Sequence, residues 1–264
     1  MVKKRVDVLL VEKGLVSSRE RAKALVLAGQ VLVAGQPVKK AGEMYEETAE
    51  LSLKQPDIPY VSRGGLKLEK ALQVFSVSLA NRVCIDVGAS TGGFTECMLQ
   101  AGAKSVYAVD VGYGQLAWKL RTDPRVVVME RINARYLEPD MFAEVPTFAS
   151  IDVSFISIGL ILPALKRIGV QEIAALIKPQ FEAGREQVGK KGIVREKAVH
   201  EEVLYNVKEK AEAAGYYLSA LTFSPIRGQE GNIEFLGHFF ATPQANEIDI
   251  SKIVLEAHES TEKK

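Results

Sequence analysis

Between Arg5 and Gly29 the apolar residues Val8, Leu9, Leu15, Ala22, Leu25, Val26 and Leu27 recur at helical spacing, interrupted at Gly14 and restarted after Ser17-Ser18. This predicts two short helices, the second capped by Ser17 or Ser18. The period then drops to two. Val31-Leu32-Val33, a turn at Ala34-Gly35-Gln36-Pro37, Val38 and later Leu51-Ser52-Leu53 predict short strands closed by a hairpin, so residues 1–54 read as a small α+β domain. Gln55-Pro56-Asp57-Ile58-Pro59 opens a linker, 55–65, ending in a Gly64-Gly65 hinge. An amphipathic helix with Leu68, Ala71 and Leu72 on its core side begins the second domain, 66–245. Strands are expected at 83–87, 105–110, 126–130, 148–153 and 173–177, and helices from Gly93 and near 115–121, 159–168 and 199–214; extended segments follow at 217–223 and 233–240. Such alternation predicts a mostly parallel sheet covered by helices on both faces, with an antiparallel hairpin at one edge. The tail, 246–264, carries Ile248, Ile250, Ile253 and Val254 and reads as a short surface helix with a frayed end.

The first strand of that sheet breaks into Gly88-Ala89-Ser90-Thr91-Gly92-Gly93-Phe94 before a helix. A strand-to-helix junction rich in glycine presents free amides to a small polar ligand. The spacing is G-x-x-x-G-G rather than the G-x-G-x-x-G of dinucleotide sites, which disfavours a nicotinamide oxidoreductase. Asp86 lies two residues before Gly88, and Asp110 ends the next strand about 20 residues on, where a ribose needs an acceptor for its hydroxyls.

Charge adds a second theme. The 264 residues hold 34 basic and 33 acidic side chains, yet residues 1–40 carry nine basic against three acidic. Lys4, Arg5, Arg19, Arg21 and Lys23 are therefore expected to face a partner, joined by Arg63 and the basic loop bearing Lys190 and Lys191; the resemblance of the N-terminal domain given below implies that this partner is RNA. Cys84 and Cys97 sit in apolar surroundings and read as reduced buried thiols, and the three histidines lack metal-ligand spacing, so no metal is expected. No apolar run approaches a membrane span and the start lacks a signal core, which predicts a cytoplasmic chain.

Polar residues at the carboxyl ends of strands are the first candidates for chemistry in an open α/β sheet. Asp152 and Lys178 fall there, Glu234 interrupts an apolar strand, and Lys67 lies in the first turn of the helix after the hinge. A hydroxyl is a poor nucleophile, so a site acting on one must take its proton and orient its oxygen. A lysine does this once its own proton is displaced, which a second cation favours and carboxylates oppose. Lys178 is the expected base or oxyanion stabiliser, with the choice between the two lysines left open.

The glycine turn resembles the first motif of class I S-adenosylmethionine-dependent methyltransferases, whose Rossmann-like sheet has this strand and helix order. Lys67, Asp152, Lys178 and Glu234 resemble, in chain order, the Lys-Asp-Lys-Glu tetrad of FtsJ-type 2′-O-ribose methyltransferases. The motifs Arg5-Val6-Asp7-x-x-Leu10, Ser18-Arg19-x-x-Ala22 and Gly29-Gln30-Val31-x-Val33-x-Gly35 resemble the RNA-binding domain first described in the fourth protein of the small ribosomal subunit. With Ser62-Arg63-Gly64-Gly65 at the junction, residues 3–240 are similar to the TlyA family, whose members also carry the name hemolysin A.

That resemblance implies methylation of cytidine 2′-hydroxyls in 16S or 23S ribosomal RNA, with S-adenosylmethionine held by Asp86, Gly88, Ser90, Gly92, Gly93, Phe94 and Asp110. Asn133, in place of the family's usual acid after the third strand, would meet the adenine. Ser154-Phe155-Ile156-Ser157 departs from the Asp-Pro-Pro-Tyr motif of base-amino methyltransferases, which favours ribose as the target. The rivals are an RNA-binding protein without catalysis and a membrane-active hemolysin; the latter needs an amphipathic or barrel-forming pattern that the chain lacks.

Overall fold

The computed structural model describes residues 2–16, 18–54 and 58–262, without the side chains of Gln229, Thr261 and Glu262. Ser17, one of the two expected cap residues, and Gln55, Pro56 and Asp57 of the expected linker lie outside the described residues. The chain divides into two compact units, Met1–Pro59 and Tyr60–Lys264.

In the first unit β1 (Lys3–Arg5) runs directly into α1 (Val6–Glu12), followed by α2 (Arg19–Leu27), β2 (Val31–Val33), β3 (Gln36–Pro37), β4 (Met44–Glu46) and β5 (Leu51–Leu53). Ser18 caps α2 by accepting the Arg21 amide at 3.1 Å. β3, β2 and β5 form a three-stranded antiparallel sheet, and β1 pairs separately with β4. Val6, Leu10, Val16, Ala22, Val26, Val31, Val33 and Val38 make the core.

The second unit opens with α3 (Gly64–Val74), then β6 (Val83–Val87), α4 (Gly93–Gln100), β7 (Ser105–Asp110), α5 (Trp118–Arg121), β8 (Val126–Glu130), β9 (Phe148–Ile151), α6 (Leu162–Ile168), β10 (Glu172–Ile177), α7 (Pro179–Glu182) and α8 (Lys197–Ala213), and closes with β11 (Tyr217–Phe223), β12 (Phe235–Phe240) and α9 (Ile250–Glu262). The seven strands run in the order β11-β12-β10-β9-β6-β7-β8, all parallel except β12, which is antiparallel to both neighbours. The expected closing hairpin is thus present, with its second strand inserted beside β10 and its first at the edge. Chain order reverses on either side of β6, between β7 and β9. This is a topological switch point, and ligands of open α/β sheets bind outside the carboxyl ends there.

Each strand feeds two cores because its side chains alternate. Val83, Ile85 and Val87 of β6 join the core under α6, α8 and α9, while Cys84 faces the core under α3 and α4. The stretch expected as a short surface helix is a 13-residue helix packed into that first core, and residues 263–264 of the end expected to fray lie outside the described residues. Ile250, Val254 and Ala257, spaced four and three residues apart, are each at most 2% exposed, so α9 is seated along a full apolar face.

Candidate active site

The site begins where β6 ends. Gly88 has φ +88°, and a Cβ there would lie 2.4 Å from the Asp152 carbonyl oxygen, so the turn closes against the end of β9 only with glycine. The turn continues through Ser90, itself at φ +49°, to Gly92, which caps α4 in the left-handed region. Asp110, at the end of β7, locks this conformation: Oδ2 accepts the Ser90 amide and Oδ1 the Gly112 amide, both at 2.7 Å.

Four segments bring the expected tetrad together as two ion pairs. Lys67, in the first turns of α3, places Nζ 2.6 Å from Oε2 of Glu234, the residue before β12. Lys178, after β10, places Nζ 2.6 Å from Oδ1 of Asp152, after β9. Nζ also donates to Ser154 Oγ at 2.9 Å. Apart from that ion pair, the buried Asp152 Oδ1 has no hydrogen-bond donor among the described residues. The Asp152 amide donates to Val87 O, which ties the acid's backbone to the strand that ends in the glycine turn.

A cleft of about 420 Å³ opens over this junction. It is lined by Gly88, Ser90, Gly93 and Phe94 of the turn, by Lys67, Asp152 and Lys178, and by Arg63, all expected from the sequence. Ser62, Ser154 and Arg227 also line it; the first two stand in segments singled out from the sequence but were not expected as site residues, and Arg227 carried no sequence signal. Glu234 stands behind Lys67, in the wall of a neighbouring cavity.

Several expected residues take other places. The Asp86 carboxyl, expected against the cofactor, is fully buried and accepts hydrogen bonds from Thr95 Oγ1 at 2.6 Å and Ser150 Oγ at 3.0 Å. Burial pushes its pKa up to about 7. With no exposed surface it shapes the turn from beneath and touches nothing in the cleft. Asn133, expected at the adenine, instead caps a short 3₁₀ turn by accepting the Arg135 amide at 3.1 Å and is absent from the cleft lining. Gly92 and Asp110 lie outside that lining as well and act on the turn's conformation.

The Gly64-Gly65 hinge is a packing device. Both glycines are in α3, and a Cβ on Gly65 would sit 2.2 Å from the Tyr60 ring. The Tyr60 hydroxyl in turn donates to Glu69 Oε1 at 2.8 Å, clamping the start of the helix that carries Lys67.

The basic residues of the first unit are less available than their number suggests. Arg5 Nε and Arg19 Nη2 pair with the buried Asp7 at 3.0 and 3.1 Å, and the Arg5 hydrogen bond holds the Asp7 pKa below the usual carboxylate range. Lys4 pairs with both Glu12 and Glu47. Lys23 is exposed with no ion pair among the described residues; Arg21 is half-buried. In the second unit Lys190 and Lys191 are exposed on a turn at residues 189–192, which Asn232 fastens by accepting the Val194 amide at 3.0 Å and donating to Gly192 O at 2.9 Å.

Both cysteines are buried free thiols, each pushed up to about 12 by burial. Among the described residues no cluster has the make-up of a metal site and no helix is long and apolar enough to cross a membrane.

Comparison with known proteins places this geometry in a family. The FtsJ-like methyltransferase model matches residues 60–239 and the S4 domain model residues 4–51. The chain is 52% identical to a relative named YqxC from Bacillus subtilis (strain 168), over 99% of this chain and 96% of that one. It is 44% identical to the 16S/23S rRNA (cytidine-2′-O)-methyltransferase TlyA of Mycobacterium tuberculosis, over 88% and 87%. A solved structure from Streptococcus thermophilus that bears a hemolysin name superposes with a TM-score of 0.76 at 52% identity, over 100% of this chain and 98% of the other.

Proposed function

The chain belongs to the FtsJ-like methyltransferase family, and we propose that it methylates the 2′-hydroxyl of a cytidine in ribosomal RNA, with S-adenosylmethionine as donor. The observation that carries this reading is the convergence of Lys67, Asp152 and Lys178 with the Gly88–Phe94 turn in one cleft at the switch point of the sheet. The nucleoside and the RNA class follow the TlyA relative's name; the S4 domain supplies an RNA-binding module.

The residues fit the donor. Gly88 and Gly93 bring backbone to the cleft wall, the turn's conformation is fixed by Asp110, and Phe94 gives an apolar wall. S-adenosylmethionine, when bound, supplies an electrophilic methyl group on a sulfonium. Lys178 and Asp152 line the same cleft and are the groups assigned to the ribose oxygen. The proton of the ribose hydroxyl would pass to the Lys178–Asp152 pair through the Asp152 carboxylate. The Lys178 ammonium, steadied by Ser154, opposes the negative charge developing on the oxygen. Lys67, held by Glu234, adds a second fixed positive charge to the cleft wall.

The substrate on this reading is free ribosomal RNA or a ribosomal subunit, and its place of action the cytoplasm. The test is transfer of tritiated methyl from S-adenosylmethionine to purified subunits and their free RNAs, for the wild type and Lys178→Ala, with the label mapped by primer extension at low nucleotide concentration. Label on a ribose, lost in the variant, is the expected result. Cofactor binding with no label on any particle would overturn the reading in favour of a non-catalytic RNA-binding role.

A further inference from the structure

Behind the tetrad lies a second cavity, of about 540 Å³, that shares Arg63, Ile226 and Arg227 with the cleft. Glu234, whose Oε2 holds Lys67, forms part of its wall, and its far side is made by Ala257 and Ser260 of α9. We propose that this cavity receives the base of a nucleotide adjacent to the methylated one, so that α9 takes part in RNA recognition; the proposal rests on the ribose-methylation reading above.

Three observations support that occupant. First, the cavity is continuous with the catalytic site through a shared wall, and the next nucleotide of a single strand must lie within one side chain's length of the ribose being modified. Second, the chemistry suits a nucleobase. Phe223 and Ile233 offer apolar surface to a flat ring, Glu234 and Ser260 offer acceptors to a polar edge, and a base gains most of its binding from such stacking surfaces. Third, the shared wall carries two guanidinium groups. Neither Arg63 nor Arg227 is paired with a carboxylate among the described residues, and Arg227 donates only to a backbone carbonyl, Gly231 O, at 2.7 Å. Two cations between two nucleotide-sized spaces match the phosphate that joins one nucleotide to the next.

The outer wall is an addition to the methyltransferase core. The FtsJ-like model ends at residue 239, whereas α9 begins at Ile250. Ile250, Val254 and Ala257 are buried in the same core as α8 and β11, so α9 is a fixed wall. Its last described turn places the exposed Ser260 beside the cavity, where a larger side chain can be accommodated from the solvent side.

The experiment compares the wild type and Ser260→Trp on an RNA fragment carrying the methylated nucleotide, intact or with an abasic site immediately 5′ or 3′ of it. On intact RNA the variant is expected to lose about tenfold in kcat/KM, the order of one lost stacking contact, with unchanged affinity for S-adenosylmethionine. One of the two abasic fragments should cost the wild type a similar factor and cost the variant nothing further, because both changes remove the same contact. The abasic measurement on the wild type needs no variant to fold. Equal wild-type rates on all three fragments, or full additivity between the substitution and each abasic site, would overturn the proposal while leaving ribose methylation intact. A wild type that methylates no RNA would instead remove the reading on which the proposal stands.

Discussion

Lys67 Nζ and Glu234 Oε2 meet at 2.6 Å across 167 residues of chain, with side chains 11% and 2% exposed, and so join the start of α3 to the start of β12 beneath the cleft. Removing one member leaves the other charge buried without its partner, whereas removing both leaves an apolar contact. Glu234→Ala and Lys67→Met should each destabilise the fold by about 3–5 kcal/mol, and Lys67→Met/Glu234→Leu should recover most of that loss. Urea unfolding of the four proteins checks the cycle. The double variant should remain inactive in methyl transfer, since the fixed charge in the cleft wall is gone; a double variant no more stable than its worse parent would contradict this account.

The buried Asp86 predicts a pH dependence of stability. Its carboxyl is raised from the ordinary 3.8 to about 7 by burial, so between those values the folded state keeps a proton that the unfolded state has released. The stability it contributes is full below pH 3.8 and is lost as pH rises toward 7. Asp86→Asn removes this dependence while Thr95 and Ser150 can still hydrogen-bond to the amide. The variant should therefore gain on the wild type by up to about 1.4 kcal/mol per pH unit between pH 4.5 and 7, measured by urea unfolding across that range.

His200 has the opposite sign. It is fully buried, and its Nδ1 lies 2.9 Å from His258 Nε2. Burial first, then the charges of His258 and Arg227, pull it from 6.5 to about 4. The folded state therefore binds fewer protons than the unfolded chain over that window, and stability falls as pH drops from 6.5 toward 4. His200→Leu should flatten this acid limb. Thermal melts at pH 5 and pH 7.5, made in an Asp86→Asn background to remove the opposing slope, should show the variant gaining relative to its parent only at pH 5.

Periodicity carried most of the fold because strands buried on both faces stand out as short apolar runs. Asp152, Lys178 and Glu234 were legible because acids and lysines are rare at those apolar strand ends. What the pattern did not contain was the partner of each charge. Asp86 reads as a strand-end acid, but its side chain alternates to the Cys84 face, where α4 supplies Thr95 and closes it off from the cleft. Lys4, Arg5 and Arg19 count as surplus positive charge in the sequence, yet Asp7, Glu12 and Glu47 meet them in space. Arg227 lies in no motif and reaches the cleft only because β11 and β12 bring their connecting segment back over Glu234.

Gly65 separates two accounts of the junction before Lys67. If the glycine pair were a hinge, Gly65→Ala would stiffen it, lowering turnover while leaving stability unchanged or improved by the better helix former. In the structure Gly65 is already helical and its missing side chain is the space filled by Tyr60, with a Cβ meeting that ring at 2.2 Å. Gly65→Ala should therefore cost about 1–3 kcal/mol of stability by overpacking. It should also reduce methyl transfer, because the displaced helix carries Lys67 away from Glu234. Shrinking the ring provides the decisive comparison: Gly65→Ala/Tyr60→Leu should regain stability relative to Gly65→Ala alone, whereas a hinge would gain nothing from it. Thermal unfolding together with methyl-transfer rates for the two single variants and the double decides between these accounts.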